Sequence, residues 1–301
     1  LASGLARVPP AARDPLRSTT FGCGQLVAGL LGLGAGELLV GLGGSGTCDG
    51  GLGFARALGY RFLAADGSGI EVPSQLPGLA RIAAPAVRPW DGMRVRALCD
   101  VRSPLLGPSG SARVFGPQKL APGAPDAELA VTTLERALER MAERMAGDLG
   151  WQGADAPGSG AAGGLGAGLA AFADATLESG AGHFLELAGI PRLLAAEGTG
   201  RIDAVLTGEG SYDAQSGEGK VAGELRALCH ARGVPLAVVA GSAPGEEGSL
   251  VFTGAALGPA EAPLDEEALG ALARHAVDRL VARATSRPPG DLPVAGAEPP
   301  P

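Results

Sequence analysis

The stretch GLGGSGTCDGG, Gly41–Gly51, constrains this chain more than any other. It sets six glycines in eleven positions, with Ser45, Thr47, Cys48 and Asp49 among them. A short apolar segment, Glu37-Leu38-Leu39-Val40, precedes it, and Leu52–Leu58 after it can be helical. The pattern predicts a strand that hands over to a helix. Backbone without Cβ atoms can approach a ligand that side chains would block. Main-chain N–H groups at a helix N-terminus also attract anions. A tight turn would need the glycines alone, whereas the group Ser-x-Thr-x-Asp points toward a site.

Other loops add to this one. The 301 residues are enough for about two domains. With 46% hydrophobic but only 4% aromatic residues, and 51 glycines, much of the packing must bring backbones close together. The formal charge of −8 argues against a nucleic-acid footprint. No apolar run has the length of a membrane span. Cys23, Cys48, Cys99 and Cys229 match no metal or redox spacing. They read as free thiols of a reducing, cytoplasmic compartment, because no secretory signal is seen. The three histidines are scattered and read as surface or packing residues.

In order, the pattern predicts a helix over 21–33, with Thr19 or Thr20 as N-cap. It then predicts a strand around 38–42, the glycine loop, a helix ending near Gly59 and a strand at 60–63. Asp66-Gly67 marks a turn, with Ile70–Val72 pairing back as a hairpin. Residues 93–99 alternate as a strand and deliver Asp100 into a long loop that ends at Lys119. Leu134, Leu138, Met141 and Met145 give the clearest helix, 126–149, with a charged outer face. A second glycine cluster, PGSGAAGGLGAG at 157–168, fits either close helix packing or a phosphate-facing loop. A helix over 184–195 follows. Residues 202–207, 221–232 and 234–240 then read as a βαβ unit with parallel strands. A helix over 265–284 closes the fold, and the Pro-rich 286–301 is expected to be disordered.

In a doubly wound sheet, ligands sit beyond the C-terminal strand ends. The loops there offer Ser45, Thr47 and Asp49, then Asp100 and Lys119. Further on they offer Glu209, Asp213, Gln215, Ser216 and Lys220, then Ser242. Carboxylates, hydroxyls and lysines on glycine-rich backbone suit phosphoryl transfer, which needs positioned groups, neutralised charge and Mg²⁺. A base must also take the acceptor's proton. Two nucleotide motifs compete with this reading. Gly41, Gly43 and Gly46 imitate a dinucleotide fingerprint, with Asp66 20 residues past Gly46, but Asp66-Gly67 reads as a hairpin tip. Gly219-Lys220 lacks the first glycine and the Ser/Thr of a Walker A loop.

Three blocks carry a resemblance. They are GLGGSGTCDGGLGFARALGYRFLAADG, CDVRSPLLGPSGSARVFGPQK and LTGEGSYDAQSGEGK, joined by PGSGAAGGLGAG. Together they resemble the bacterial glycerate kinase family over nearly all of 10–285. The resemblance implies ATP- and Mg²⁺-dependent phosphorylation of D-glycerate, with no nucleic-acid or membrane partner and with a homodimer left open. It implies two α/β domains, one Rossmann-like and built from both chain ends, the other inserted. On this chain that gives 1–196 as inserted domain, 197–285 as the C-terminal part of the Rossmann-like domain and 286–301 as a tail. Asp49, Asp100, Asp213 and Lys119 become candidate catalytic residues. Ser45, Thr47, Glu209, Gln215, Ser216 and Lys220 are substrate or nucleotide ligands, with Asp213 and Glu209 for the metal. Cys48 stands where the family has Asn, Arg102-Ser103 differ before Pro104, and Ser211 replaces an Arg. The family opens with a strand and a lysine-containing DSFKGS-like loop, which this sequence, starting at Leu1, does not show. The Rossmann-like half is therefore expected without its N-terminal strands. A remnant that only binds a small anion, and a nicotinamide-dependent dehydrogenase, are the competing readings.

Overall fold

The computed structural model describes residues 2–88, 90–211, 220–242, 251–253 and 266–285. The chain divides into two units, Leu1–Gly180 and Ala181–Pro301.

The first unit is built on α1 (Phe21–Leu31), β1 (Glu37–Leu42), α2 (Leu52–Ala57), β2 (Arg61–Ala64) and β3 (Leu79–Ala83). It continues with β4 (Arg94–Cys99), α3 (Ser111–Phe115), α4 (Ala127–Leu149), α5 (Ala161–Ala173) and β5 (Thr176–Ser179). Strands β1, β4 and β5 form a parallel sheet in that order. Alternation sends Leu38, Leu42, Val95, Ala97 and Cys99 to one face, where they are buried with Phe54, Leu165 and Phe172. The other face carries an ionic row. Arg96 on β4 donates through Nε to both carboxylate oxygens of Glu178, at 3.0 and 2.9 Å, and lies 3.6 Å from Glu37.

Those bonds from Arg96 hold the Glu178 carboxyl down at about 2, against an ordinary 4.5. A depressed folded value means stability that is present above pH 4.5 and lost as pH falls toward about 2. Wild type should therefore lose its margin over Glu178→Gln across that window in denaturant titrations. Parallel acid curves for the two proteins would remove the pair from the stability account.

The expected hairpin is largely replaced. Ala64 N–H does bond Ser68 O, and Ile70 N–H bonds Phe62 O. The side chain of Gln75 then accepts from the N–H groups of Glu71 and Val72, and Pro73 starts a 3₁₀ turn. These bonds pull the chain out of the ladder, and β2 pairs instead with β3, antiparallel, Phe62 opposite Ile82. On α4 the predicted Leu and Met residues are fully buried. Its charged face is less solvated than expected. Arg140 donates to Leu79 O, Arg144 donates to Ala80 O, and Asp148 accepts from Ile82 N–H, so this face braces β3.

The second unit follows from α6 (Gly180–Leu187) and α7 (Ile190–Leu194). The sequence pattern predicts one continuous helix here. It breaks because Gly189 adopts φ +73° and Pro191 follows in the first turn of α7. Then come β6 (Val205–Ser211), α8 (Val221–Ala231), β7 (Leu236–Ser242), β8 (Val251–Thr253) and α9 (Glu266–Thr285). Strands β6, β7 and β8 are parallel in that order, so the predicted βαβ unit is present with an extra strand. Leu185 and Leu194 are buried with Leu225, Cys229, Leu236 and Val238. That packing puts the division at Gly180 rather than the expected 196. Leu272, Ala276 and Leu280 of α9 cover Ala237. The tail at 286–301 lies outside the described residues. All four cysteines are free, and no helix among the described residues is long and apolar enough to cross a membrane.

Candidate active site

The site is assembled from the glycine loop outward. Thr20 precedes α1 as expected, but its side chain does not cap that helix. Its hydroxyl donates to Asp49 Oδ2 at 2.8 Å and accepts from Phe54 N–H at 2.9 Å. Asp49 Oδ2 also accepts from the N–H groups of Thr20 and Gly53, at 2.7 and 3.0 Å, and Oδ1 accepts from Gly51 at 3.1 Å. One buried pair thus ties together the starts of two helices. They cross in backbone contact: a Cβ on Gly53 would lie 2.3 Å from Phe21 N, and one on Gly24 would lie 2.4 Å from Phe54 O.

This arrangement changes the role expected for Asp49. Burial pushes its acidity down, raising its pKa, while the four donors oppose that shift. Asp49 is fully buried and its carboxylate faces donors of its own chain. It organises the loop and is not placed to act as base or metal ligand. Cys48 beside it is also fully buried. Burial pushes its thiol up to about 11, so it stays protonated at neutral pH.

The long loop after β4 is ordered by α3 and by a 3₁₀ turn, Pro117–Lys119. The turn drives Lys119 inward until 2% of it is exposed. Its Nζ donates to Thr47 O at 2.7 Å and to Ser45 Oγ at 3.0 Å. Among the described residues it has these oxygen partners and no ion pair. Burial lowers its pKa, and Cys48 and Asp49 oppose that.

Ser45 and Lys119 line a cavity of about 160 Å³ beyond the C-terminal ends of β1 and β4. Leu42, Val101 and Phe115 form apolar wall. Leu5 closes another side. It arrives on an N-terminal segment whose Leu5 N–H bonds Gly44 O and whose Ser3 O accepts from Gly46 N–H. Ala162 contributes the remaining edge with φ +53°, a left-handed conformation rare for a residue with a Cβ.

Ala162, Gly163 and Gly164 form a left-handed turn that opens α5. Gly50 N–H bonds Gly163 O, and a Cβ on Gly163 would lie 1.9 Å from Thr47 O. A Cβ on Gly51 would lie 2.7 Å from Gly168 Cα. The second glycine cluster therefore packs backbone to backbone against the first, which decides between its two readings. Thr20, Leu5 and Ala162 were not among the predicted site residues. The Thr19-Thr20 pair was visible as a cap and Ala162 lies within the second glycine cluster; Leu5 carries no sequence signal.

The remaining candidates fall as follows. Thr47 supplies its carbonyl, while its Oγ1 is buried without a partner among the described residues. Asp100 is exposed next to the cavity residue Val101, close enough to Gly180 that a Cβ there would lie 2.9 Å from Oδ1. In the second unit, Lys220 at the start of α8 pairs with Glu209 of β6 at 3.2 Å. Glu209 Oε2 is buried without a partner among the described residues. Asp213, Gln215 and Ser216 lie outside the described residues. Asp66 sits at an exposed turn, its carboxylate taken by Ser68 N–H and Oγ, so the dinucleotide pattern has no acidic partner at a strand end.

Comparison with known proteins agrees with this architecture. The model of the glycerate kinase family matches residues 1–284. A glycerate kinase of Halalkalibacterium halodurans is 40% identical over 243 residues, 80% of this chain and 61% of that protein. A glycerate 2-kinase of Escherichia coli K12 is 40% identical over 222 residues, 73% of this chain and 56% of that protein. The chain thus spans about three fifths of the length of the curated relatives it matches. A solved structure assigned as glycerate kinase 2 of Salmonella typhimurium LT2 superposes with a TM-score of 0.65 at 34% identity, covering 94% of this chain and 72% of that one. The parallel α/β units, the loop residues at their strand ends and these matches lead to one conclusion: the chain belongs to the glycerate kinase family.

Proposed function

We propose that this chain takes part in ATP-dependent phosphoryl transfer to a hydroxyl of D-glycerate. The observation that carries the proposal is Lys119. A buried cation with no carboxylate against it is costly unless an anion completes it. It sits at the C-terminal strand ends, where an anionic substrate is expected in such sheets. Asp100, exposed next to the cavity residue Val101, is assigned as the base. Lys220 and Glu209, together with Asp213, Gln215 and Ser216, are assigned to nucleotide binding. Glu209, with a buried oxygen that has no partner among the described residues, fits Mg²⁺, which takes one or two carboxylates plus phosphate oxygens and supplies charge neutralisation when bound.

The test is D-glycerate-dependent ADP release by the chain in the presence of MgATP. Turnover that requires D-glycerate supports the reading, and a chain that does not phosphorylate D-glycerate overturns it. A pH profile adds a second check. Burial lowers the Lys119 pKa from its ordinary 10.5, so the charge is lost as pH rises through the lowered value. The KM for D-glycerate should therefore climb on the alkaline side before pH 10.5 is reached. A KM that stays flat to that pH would separate Lys119 from substrate binding.

A further inference from the structure

The kinase reading leaves open which reactant enters the Lys119 cavity. Glycine-rich loops at helix N-termini commonly cradle phosphates with free N–H groups. Here many of those groups are consumed. Gly46 N–H bonds Ser3 O, Gly50 N–H bonds Gly163 O, and Leu52 N–H bonds Asp49 O. Gly51 and Gly53 N–H bond the Asp49 carboxylate, and Phe54 N–H bonds Thr20 Oγ1. The Asp49 carboxylate occupies the place a phosphate oxygen would take at the start of α2.

The cavity itself is matched to a single small negative charge. Among the described residues Lys119 is the charged residue lining it; Ser45 and Gln118 add polar side chains, and Leu5, Leu42, Val101, Phe115 and Ala162 are apolar. An ammonium has three donors, and two are engaged by Thr47 O and Ser45 Oγ, which leaves one for a ligand. Ser45 Oγ accepts from Lys119, so its own O–H is available to donate. One N⁺–H and one O–H beside each other suit the two oxygens of a carboxylate. A phosphate dianion or a polyphosphate would bring more charge than one buried cation balances.

Resting on the kinase reading, we propose that this cavity is the acid subsite: Lys119 and Ser45 hold the carboxylate of a short 2-hydroxy acid, Leu5 limits its length, and the nucleotide binds elsewhere. Leu5 is set for that role by two main-chain bonds to the glycine loop, which fix it against the cavity. A Cβ on Gly46 would lie 3.3 Å from Leu5 Cα, so the strap and the loop are in close contact. A second carboxylate is disfavoured beside Leu42, Val101 and Phe115, because among the described residues no second cation lines the cavity to meet it.

The experiment is calorimetric titration of the full chain with D-glycerate, tartronate, 2-hydroxyvalerate and MgADP, each separately. Lys119→Met should weaken D-glycerate by about 10- to 100-fold, the range for a lost charged hydrogen bond, and leave MgADP within about twofold. Ser45→Ala should weaken D-glycerate several-fold without moving MgADP, and it keeps the test decisive if Lys119→Met does not fold. Leu5→Ala should narrow the preference for D-glycerate over 2-hydroxyvalerate, and tartronate should bind wild type far more weakly than D-glycerate. The proposal is overturned if Lys119→Met or Ser45→Ala weakens MgADP as much as D-glycerate, or leaves D-glycerate unchanged. It is also overturned if tartronate matches D-glycerate on wild type, or if Leu5→Ala leaves the length preference intact. Loss of MgADP binding in Lys119→Met, with D-glycerate turnover intact in wild type, would refute the subsite and spare the kinase reading. Binding of D-glycerate through Lys119 without any phosphorylation would do the reverse.

Discussion

Asp49→Ala should destabilise the first unit by about 3–5 kcal/mol, the range for breaking a buried charged network from one side. The substitution leaves the N–H groups of Thr20, Gly51 and Gly53 and the Thr20 hydroxyl without their acceptor, in a place water does not reach. Each stranded donor costs about 1–3 kcal/mol, and relaxation of the loop recovers part of the sum. Both tryptophans, Trp90 and Trp151, lie in the first unit, so fluorescence in urea reports its unfolding alone. Thr20→Val should lose a smaller share of the same network, and Thr20→Ser should restore it. An Asp49→Asn protein with wild-type stability and abolished turnover would return Asp49 to the chemistry and sink the organising role.

Gly163→Ala should cost roughly 3–5 kcal/mol, for two separable reasons. The residue holds φ +75°, where a Cβ costs about 1–2 kcal/mol. The new Cβ would also lie 1.9 Å from Thr47 O, so the loop must move. Gly123 provides the control. It holds φ +74°, and a Cβ there would meet nothing within 4 Å, so Gly123→Ala should show the conformational cost alone. The excess at Gly163 over Gly123 measures the backbone contact between the two glycine clusters. Equal losses at both positions would mean that the clusters separate without penalty. Because the Thr47 carbonyl also holds Lys119, the Gly163→Ala protein should weaken D-glycerate as well.

The parts of this fold that were legible in the sequence are those with a long, regular pattern. The α4 stripe of Leu134, Leu138, Met141 and Met145 is periodic over about three turns and is buried as read. The apolar runs that became β6 and β7 flank a helix of ordinary length, and a parallel pairing follows from that. Strand β3, Leu79-Ala80-Arg81-Ile82-Ala83, escaped the pattern because three small or charged residues dilute it and its partner lies beyond a proline turn. The four residues of β5 were too few to read, although the parallel register with β4 makes them part of the sheet.

The candidate site was legible by residue type and less so by role. Serine, aspartate and lysine near glycine announce chemistry, but a carboxylate looks the same whether it faces a substrate or three amides of its own chain. Thr20 and Asp49 decide that question, and they are 29 positions apart. The glycines posed the same problem. Sequence shows that backbone can come close at Gly50, Gly51 and Gly163, and only the fold shows that the thing approached is another glycine segment.

One consequence concerns the ammonium of Lys119. A free lysine side chain carries about 2 kcal/mol of rotamer entropy, which a binding partner must normally suppress. Here the Thr47 carbonyl that holds the ammonium is itself seated against the left-handed turn of α5, main chain on main chain. On the Thr47 side no rotamer of a partner lies between the core and the charge to absorb a displacement. The ordering of Lys119 is therefore completed when the first unit folds, and an entering acid meets a preorganised cation, with that entropy already lost before binding begins.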